Sequence, residues 1–192
     1  MSQAAIAALG RGEVIVLATE TIFGLAADPA HPQAVARLLR MKERPLHKGW
    51  ILLVPDRECL DDWILPPSPL ACALMDRFWP GPLTLVLPAR PGVSPLLTGG
   101  GGHVALRLSP APQVVDLMAL WRRPLISTSA NRAGQPTPGR AAAVRQIWRE
   151  ENLLVIDGPI RPDALPSTVL KVDGATLTLI RAGAIPYEAI LA

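Results

Sequence analysis

The chain is poor in the side chains that many enzymes use as nucleophiles or metal ligands. Its 192 residues include two cysteines and three histidines. Cys59 and Cys72 form no CxxC motif and are too few for a disulfide framework, and the histidines lack metal-ligand spacing. No Ser/His/Asp or Cys/His set stands out as a catalytic group. We therefore expect no structural disulfide and no metal held by protein ligands alone.

Long apolar segments are also missing. No run approaches the ~20 apolar residues of a membrane span, and the first ten residues lack the basic start of a signal peptide. Hydrophobic residues nevertheless make up 49% of the chain, which is enough for a sizeable core. We expect one cytoplasmic domain that spans residues 1–192.

Positive charge is modest overall but concentrated in one stretch. The formal charge is +3 and the pI is near 9.3, which favours anionic partners. Residues 37–48, RLLRMKERPLHK, carry five cationic side chains, among them two of the three lysines of the chain, Lys42 and Lys48. Pro45 bars Arg44 from the helical region, so a helix should end near Lys42, and a buried strand should follow over residues 50–54. The stretch is either a phosphate-binding loop or a solvated helix end stabilised by the helix dipole.

Small polar side chains follow two predicted strands. Thr19, Glu20 and Thr21 come directly after a strand over residues 13–18, where hydroxyls can meet a small ligand. The segment STSAN, residues 127–131, follows a short strand over 124–127 and forms either a binding loop or a cap for a helix over 139–148. Arg107 lies within a predicted strand, which would hold its guanidinium rigidly.

The glycine run 99–102 has two interpretations. A glycine-rich turn can approach a phosphate closely, but this one lacks the GK[ST] ending of a P-loop. The simpler interpretation is a flexible connection.

Strands alternate with helices along the whole chain. We predict further helices around Leu70 and Leu74 and over 113–121, and further strands over 83–87, 104–108, 153–156, 167–172 and 175–181. Asp173-Gly174 predicts a tight hairpin between the last two strands. The expected fold is a single α/β domain with a mixed, largely antiparallel, open twisted sheet flanked by helices.

Six segments in order resemble the motifs of the YrdC-type threonylcarbamoyl-AMP synthases. They are TETIFGL (19–25), KERPLHKG (42–49), WPGPLTLVLPA (79–89), VALR (104–107), STSAN (127–131) and STVL (167–170). The combination of KxRP, SxSAN and STV is far more specific than any single motif. The chain ends eleven residues after Arg181, which resembles the short, single-domain bacterial form.

The resemblance implies an enzyme that joins L-threonine, bicarbonate and ATP into threonylcarbamoyl-AMP and releases pyrophosphate. The product would serve N6-threonylcarbamoylation of adenosine 37 in tRNA, through a threonylcarbamoyltransferase complex, with direct tRNA binding left open. It also implies a YrdC-like fold with a concave basic cavity. Mg²⁺ would accompany ATP and neutralise the departing pyrophosphate.

The resemblance also implies roles for eleven side chains. Lys42 and Arg44 would act in catalysis by charge stabilisation. ATP would be bound by Arg44 as well, together with Lys48, Ser129, Asn131, Thr137 and Arg181. L-threonine would be bound by Thr21, Arg107, Ser127 and Ser167. Two positions depart from the family pattern: Lys48-Gly49 replaces a common Asn-Pro, and Leu53 replaces a histidine of longer members.

Two alternatives come from other classes of protein. A non-catalytic module for double-stranded RNA or tRNA would use the basic stretch, but one tyrosine and two phenylalanines disfavour a base-stacking surface. A carbamoyl-transferring domain of hydrogenase maturation would normally belong to a larger polypeptide.

Overall fold

The computed structural model describes residues 2–161 and 163–192. The strands of these ranges form one nine-stranded sheet. The strands are β1 (Ile15–Ala18), β2 (Phe23–Ala27), β3 (Ile51–Leu53), β4 (Leu83–Pro88), β5 (His103–Arg107), β6 (Leu125–Ser129), β7 (Leu154–Ile156), β8 (Thr168–Asp173) and β9 (Thr176–Arg181). Their order is β7-β1-β2-β6-β3-β5-β4-β8-β9. Pairs β1–β7, β3–β5 and β4–β8 are parallel, and the other five described pairs are antiparallel. The predicted mixed, largely antiparallel sheet is confirmed.

The helices of the described ranges cover both faces of the sheet. They are α1 (Ser2–Gly10), α2 (Pro32–Lys42), α3 (Pro69–Phe78), α4 (Pro95–Thr98), α5 (Pro112–Trp121), α6 (Ala141–Ile147) and α7 (Tyr187–Leu191), with short 3-10 turns at Glu58–Asp62 and Arg149–Glu151. Four of them begin with proline, whose missing N–H costs nothing in the first turn. The predicted end of α2 at Lys42 is confirmed, because Glu43 already adopts a left-handed conformation.

Two separate cores hold the sheet between these helices. On one face, apolar side chains of α2, α3 and α6 pack against alternate strand residues such as Phe23 and Leu25. On the other face, α1 and α5 cover Ala26, Leu53 and Leu125. Since α1 and α5 cover only part of this second face, its uncovered part is available for a binding site.

Two details differ from the sequence predictions. The segment after Ile22 is strand β2, which runs antiparallel to β1 from Ala18↔Phe23 onward. Strand β6 extends to Ser129, so Ser127 and Ser129 pair with β2 and are not in a loop. The capping alternative for STSAN is wrong, because α6 starts after Arg140 without any side-chain cap.

Within the described ranges, no helix combines the length and apolar character needed to cross a membrane.

Candidate active site

A cavity of about 150 Å³ opens on the uncovered part of the sheet. Gly24 and Ala26 of β2 lie on the same face of the sheet by strand alternation: Ala26 is in the core under α1 and α5, and Gly24 lines the cavity next to it. Of the eleven predicted site residues, seven line it: Thr21, Arg44, Arg107, Ser127, Ser129, Ser167 and Arg181. Strands far apart in sequence therefore bring together three arginines and four hydroxyls.

Arg107 is the most buried cation of this cavity, with 5% of the residue exposed. Its Nη2 donates to Glu20 Oε1 and, at 3.1 Å, to Thr21 Oγ1. Its Nε is buried and has no hydrogen-bond partner among the described residues. A buried guanidinium N–H without an acceptor is costly, so the positive charge of Arg107 is under-satisfied in this cavity and favours an anionic ligand there.

Glu20 accepts the bond from Nη2 of Arg107 and was not predicted as a site residue. Its Oε2 accepts a bond from Ser109 Oγ, so the carboxylate is fixed at both oxygens. No other carboxylate among the described residues bonds Arg107. Glu20 is the neighbour of the predicted site residue Thr21, and this position could have pointed to it. Its pairing with Arg107 could not be predicted, because the two residues are 87 positions apart in the sequence.

Two hydrogen-bonded hydroxyl pairs lie at the cavity, whose lining includes Thr19, Thr21 and Ser167. Thr19 and Thr21 share a bond of 2.8 Å, as do Thr84 and Ser167. These four residues are all buried; Thr19 was expected near a ligand from its place after β1, whereas Thr84 had no signal in the sequence. Such a lining can orient a small polar ligand without adding charge.

Arg181 brings a second guanidinium to Ser167. Although Arg181 is an exposed residue of the edge strand β9, it donates to Ser167 O at 2.8 Å and to Ser167 Oγ at 3.0 Å. Desolvation of its guanidinium at Ser167 is the main cause that lowers the pKa of Arg181, and the charge of Arg107 is the second. Arg107 and Arg181 repel each other, and an anion bound between them would offset this repulsion.

Lys42 lies behind the cavity and binds the segment after β6. Only 8% of the residue is exposed, and Nζ donates to Ser129 O at 2.8 Å, to Asn131 O, and to Asn131 Oδ1 at 3.3 Å. Burial and then the charge of Arg44 lower the pKa of Lys42 to about 8. In this arrangement the ammonium positions Ser129 and Asn131, because its three donors already have acceptors.

The basic loop is held by its own arginine. Arg44 Nε donates to Lys48 O at 3.1 Å, Nη2 donates to Gly49 O, and the guanidinium stacks 4.6 Å from the ring centre of Trp50. Burial lowers the pKa of Arg44. Arg44 therefore reaches the cavity from a fixed backbone and keeps donors for a ligand.

Four predicted residues lie outside the lining. Lys42 and Asn131 sit next to Ser129, as described above, whereas Lys48 and Thr137 are exposed on the surface. The structure does not bring Thr137 to the cavity wall. Leu53, which replaces a family histidine, is fully buried in the core with α5 and also does not line the cavity.

Comparisons with known proteins agree with the motif resemblance. The Sua5/YciO/YrdC family model, described as "Telomere recombination", matches residues 7–183. A protein of Chromohalobacter salexigens named threonylcarbamoyl-AMP synthase is 39% identical over 165 residues, which cover 86% of this chain and 89% of the relative. A protein of Stenotrophomonas maltophilia with the same name is 39% identical over 184 residues, covering 87% of this chain and 95% of the relative.

Solved structures share the fold. P. abyssi Sua5 complexed with L-threonine matches with a TM-score of 0.92 and 33% identity over 98% of this chain, which spans only 56% of that longer protein. E. coli YciO matches with a TM-score of 0.88 over 98% of this chain and 92% of its own, and at 21% identity it supports the fold alone. The motifs, the architecture and the comparisons agree: the chain belongs to the Sua5/YciO/YrdC family.

Proposed function

We propose that the chain is a threonylcarbamoyl-AMP synthase, which uses L-threonine, bicarbonate and ATP and releases pyrophosphate. The observation that carries the proposal is the buried, unpartnered Nε of Arg107 in a hydroxyl-lined cavity with two further arginines. The names of the curated relatives and the threonine complex of P. abyssi Sua5 support it.

The residues divide into a threonine side and a nucleotide side. Thr21, Arg107, Ser127 and Ser167 would bind threonine, with the charge of Arg107 facing its carboxylate. The nucleotide would be bound by Arg44, Lys48, Ser129, Asn131, Thr137 and Arg181. Lys42 and Arg44 would supply the charge that supports catalysis.

The chemistry needs positive charge more than a protein nucleophile. Threonine carbamate is an anion, and its oxygen must bond to the α-phosphorus of ATP while the bond from that phosphorus to the pyrophosphate oxygen breaks. Arg44 and Arg181 line the same small cavity and would offset the repulsion between the two anions. Glu20, the carboxylate bound to Arg107, is already paired and so adds little repulsion of its own.

Mg²⁺ would enter with the nucleotide. Within the described ranges, no group of three or more His, Cys, Asp or Glu side chains could hold a metal. The phosphates of ATP would therefore supply most of its ligands, as is usual for Mg²⁺. When bound, the ion would neutralise the pyrophosphate that leaves.

The product would serve tRNA modification in the cytoplasm. We propose that the threonylcarbamoyl group passes to a transferase complex that acts on tRNA, because a mixed anhydride is labile in water and needs prompt use.

A pyrophosphate-release assay with each substrate omitted in turn tests the activity. We expect release only when ATP, threonine and bicarbonate are all present, and mass spectrometry should then detect threonylcarbamate linked to AMP. Release that ignores threonine would refute the assignment, and RNA binding without turnover would favour a binding module.

Glu20→Gln should weaken threonine binding and leave ATP binding alone. The carboxamide keeps the size of the side chain but loses the ion pair that fixes Arg107. We expect threonine affinity to fall by about tenfold, or ~1.4 kcal/mol, as measured by calorimetry. Glu13→Gln is the matched control, because it removes the exposed pair with Arg11. Unchanged or tighter threonine binding in Glu20→Gln would show that Glu20 does not position Arg107.

A further inference from the structure

The glycine run 99–102 does not line the cavity but packs against the basic loop that carries Arg44. Gly99 has a φ of +66°, and a Cβ placed on it would lie 2.3 Å from His47 O and 2.6 Å from Gly49 N. A Cβ on Gly49 would in turn lie 2.6 Å from Leu97 O. Two backbones therefore approach each other so closely that neither position has room for a side chain.

Hydrogen bonds hold this contact in place from both sides. Trp50 N donates to Leu97 O at 2.8 Å, which ties the start of β3 to the end of α4. Beyond the turn, Ala89 N donates to Gly102 O at 2.9 Å and so ties it to the end of β4. The glycine run is thus anchored at both ends, and its interpretation as a slack, flexible connection does not describe this structure.

The contact reaches the candidate nucleotide site through Arg44. The guanidinium of Arg44 binds the carbonyls of Lys48 and Gly49 and stacks on Trp50. The backbone that Gly99 touches is therefore the backbone that orients Arg44 toward the cavity. A displacement of Gly49 by an added side chain would move those carbonyls and with them the guanidinium.

The same contact explains the Lys48-Gly49 pair at the end of the basic stretch. The ring of a proline at position 49, which is common in the family pattern, would meet the carbonyl of Leu97. In this chain, glycine at position 49 and glycine at position 99 accommodate each other.

We propose that the turn formed by residues 95–102 positions the basic loop for nucleotide binding, through the contact of Gly99 with Gly49. The ligand class is the phosphate chain of a nucleoside triphosphate, and the inference rests on the proposed function. Gly99 acts through Arg44 and touches no substrate, so it is a positioning residue.

Two alanine variants separate this role from backbone strain. Gly99→Ala and Gly102→Ala introduce alanine at nearly equal φ, +66° and +65°, but a Cβ at Gly102 has nothing within 4 Å. Both variants therefore place alanine at a left-handed φ, and only Gly99→Ala brings a Cβ against the basic loop. ATP and threonine affinities are measured separately by calorimetry, and thermal unfolding is followed for each variant.

We expect Gly99→Ala to lower ATP affinity by about tenfold or more, with threonine affinity close to that of the unchanged protein. Gly102→Ala should keep both affinities. Equal ATP affinities in the two variants, or an equal loss of ATP and threonine binding in Gly99→Ala, would overturn the proposal. Absence of ATP binding in the unchanged protein would instead refute the proposed function.

A second variant decides the question if Gly99→Ala does not fold. Gly49 does not have a positive φ, so Gly49→Ala makes the same contact clash without conformational strain. The expected result is again a selective loss of ATP affinity. A folded Gly49→Ala protein with unchanged ATP affinity would overturn the proposal.

Discussion

Arg107→Lys will raise the threonine concentration needed for half-maximal activity by about tenfold or more, which corresponds to ~1.4 kcal/mol or more. The reason is the geometry of the fork. Nη2 of Arg107 donates to Glu20 and Thr21, which fixes the guanidinium at the cavity, while the neighbouring Nε is buried and has no partner. A lysine ammonium keeps the charge but has neither the planar shape nor the number of donors needed to keep these bonds and also bind a ligand.

Calorimetry gives the outcome directly. Threonine affinity should fall in Arg107→Lys, whereas ATP affinity measured alone should change little. Arg37→Lys is the matched control. Arg37 likewise pairs with a glutamate, donating from Nε and Nη2 to Glu151, but it lies outside the cavity lining. Unchanged threonine affinity together with a lower melting temperature would make Arg107 a structural residue.

Lys42→Met will lower both ATP affinity and the stability of the protein. The variant leaves Ser129 O, Asn131 O and Asn131 Oδ1 without their donor. A fully buried acceptor that loses its partner costs about 1–3 kcal/mol; Ser129 and Asn131 are partly buried, so the cost should be smaller, and the segment after β6 should shift or loosen. Lys171→Met is the control for removing a lysine, since Lys171 pairs at the surface with Asp173.

The pH dependence of ATP binding tests the same residue. The pKa of Lys42 is about 8 in the folded protein without ligand, and a bound polyanion would raise it. ATP affinity should therefore be constant below pH 8 and fall above it, by at most about tenfold per pH unit for one proton. Calorimetry in buffers of different ionisation enthalpy measures the proton uptake. Lys42→Met should show no uptake near pH 8, and equal uptake in both proteins would contradict the assignment.

Two titrating groups, the buried Lys42 and the partly buried Cys59, should change stability with pH in opposite directions. Lys42 has a folded pKa below its ordinary value of 10.5, so the unfolded chain binds its proton more tightly and stability should rise from about pH 8 to 10.5. Burial raises the pKa of the Cys59 thiol from 9.0 to about 11, so stability should fall above pH 9. The free energy of unfolding is therefore best compared in a Cys59→Ser background, where the Lys42 contribution remains.

Local sequence signals determined the helix boundaries. Pro32 at the start of α2, and Ser68 and Pro69 at the start of α3, act on the backbone of the first turn itself. Such effects need no tertiary context. The same holds for the hairpin at Gly174, whose positive φ suits glycine.

Strand β2 could not be recognised in this way. Phe23 to Ala27 is buried throughout and contains a glycine, so it shows no alternation of polar and apolar residues. Its identity as a strand comes from pairing with β1 on one side and β6 on the other. The same pairing extends β6 through Ser129, so residues that were predicted to form a loop belong to a strand that lines the cavity.

The sequence by itself determined the fold class, the family motifs and the residue types of the site: few lysines placed together, arginine on a strand, and hydroxyls after strands. Only the tertiary structure decided which groups meet. Glu20 faces Arg107, Lys42 turns to Ser129 and Asn131, and Gly99 supports Gly49, all across long sequence separations. These contacts depend on the sheet order and on which face α1 and α5 leave open, and no local propensity encodes either of them.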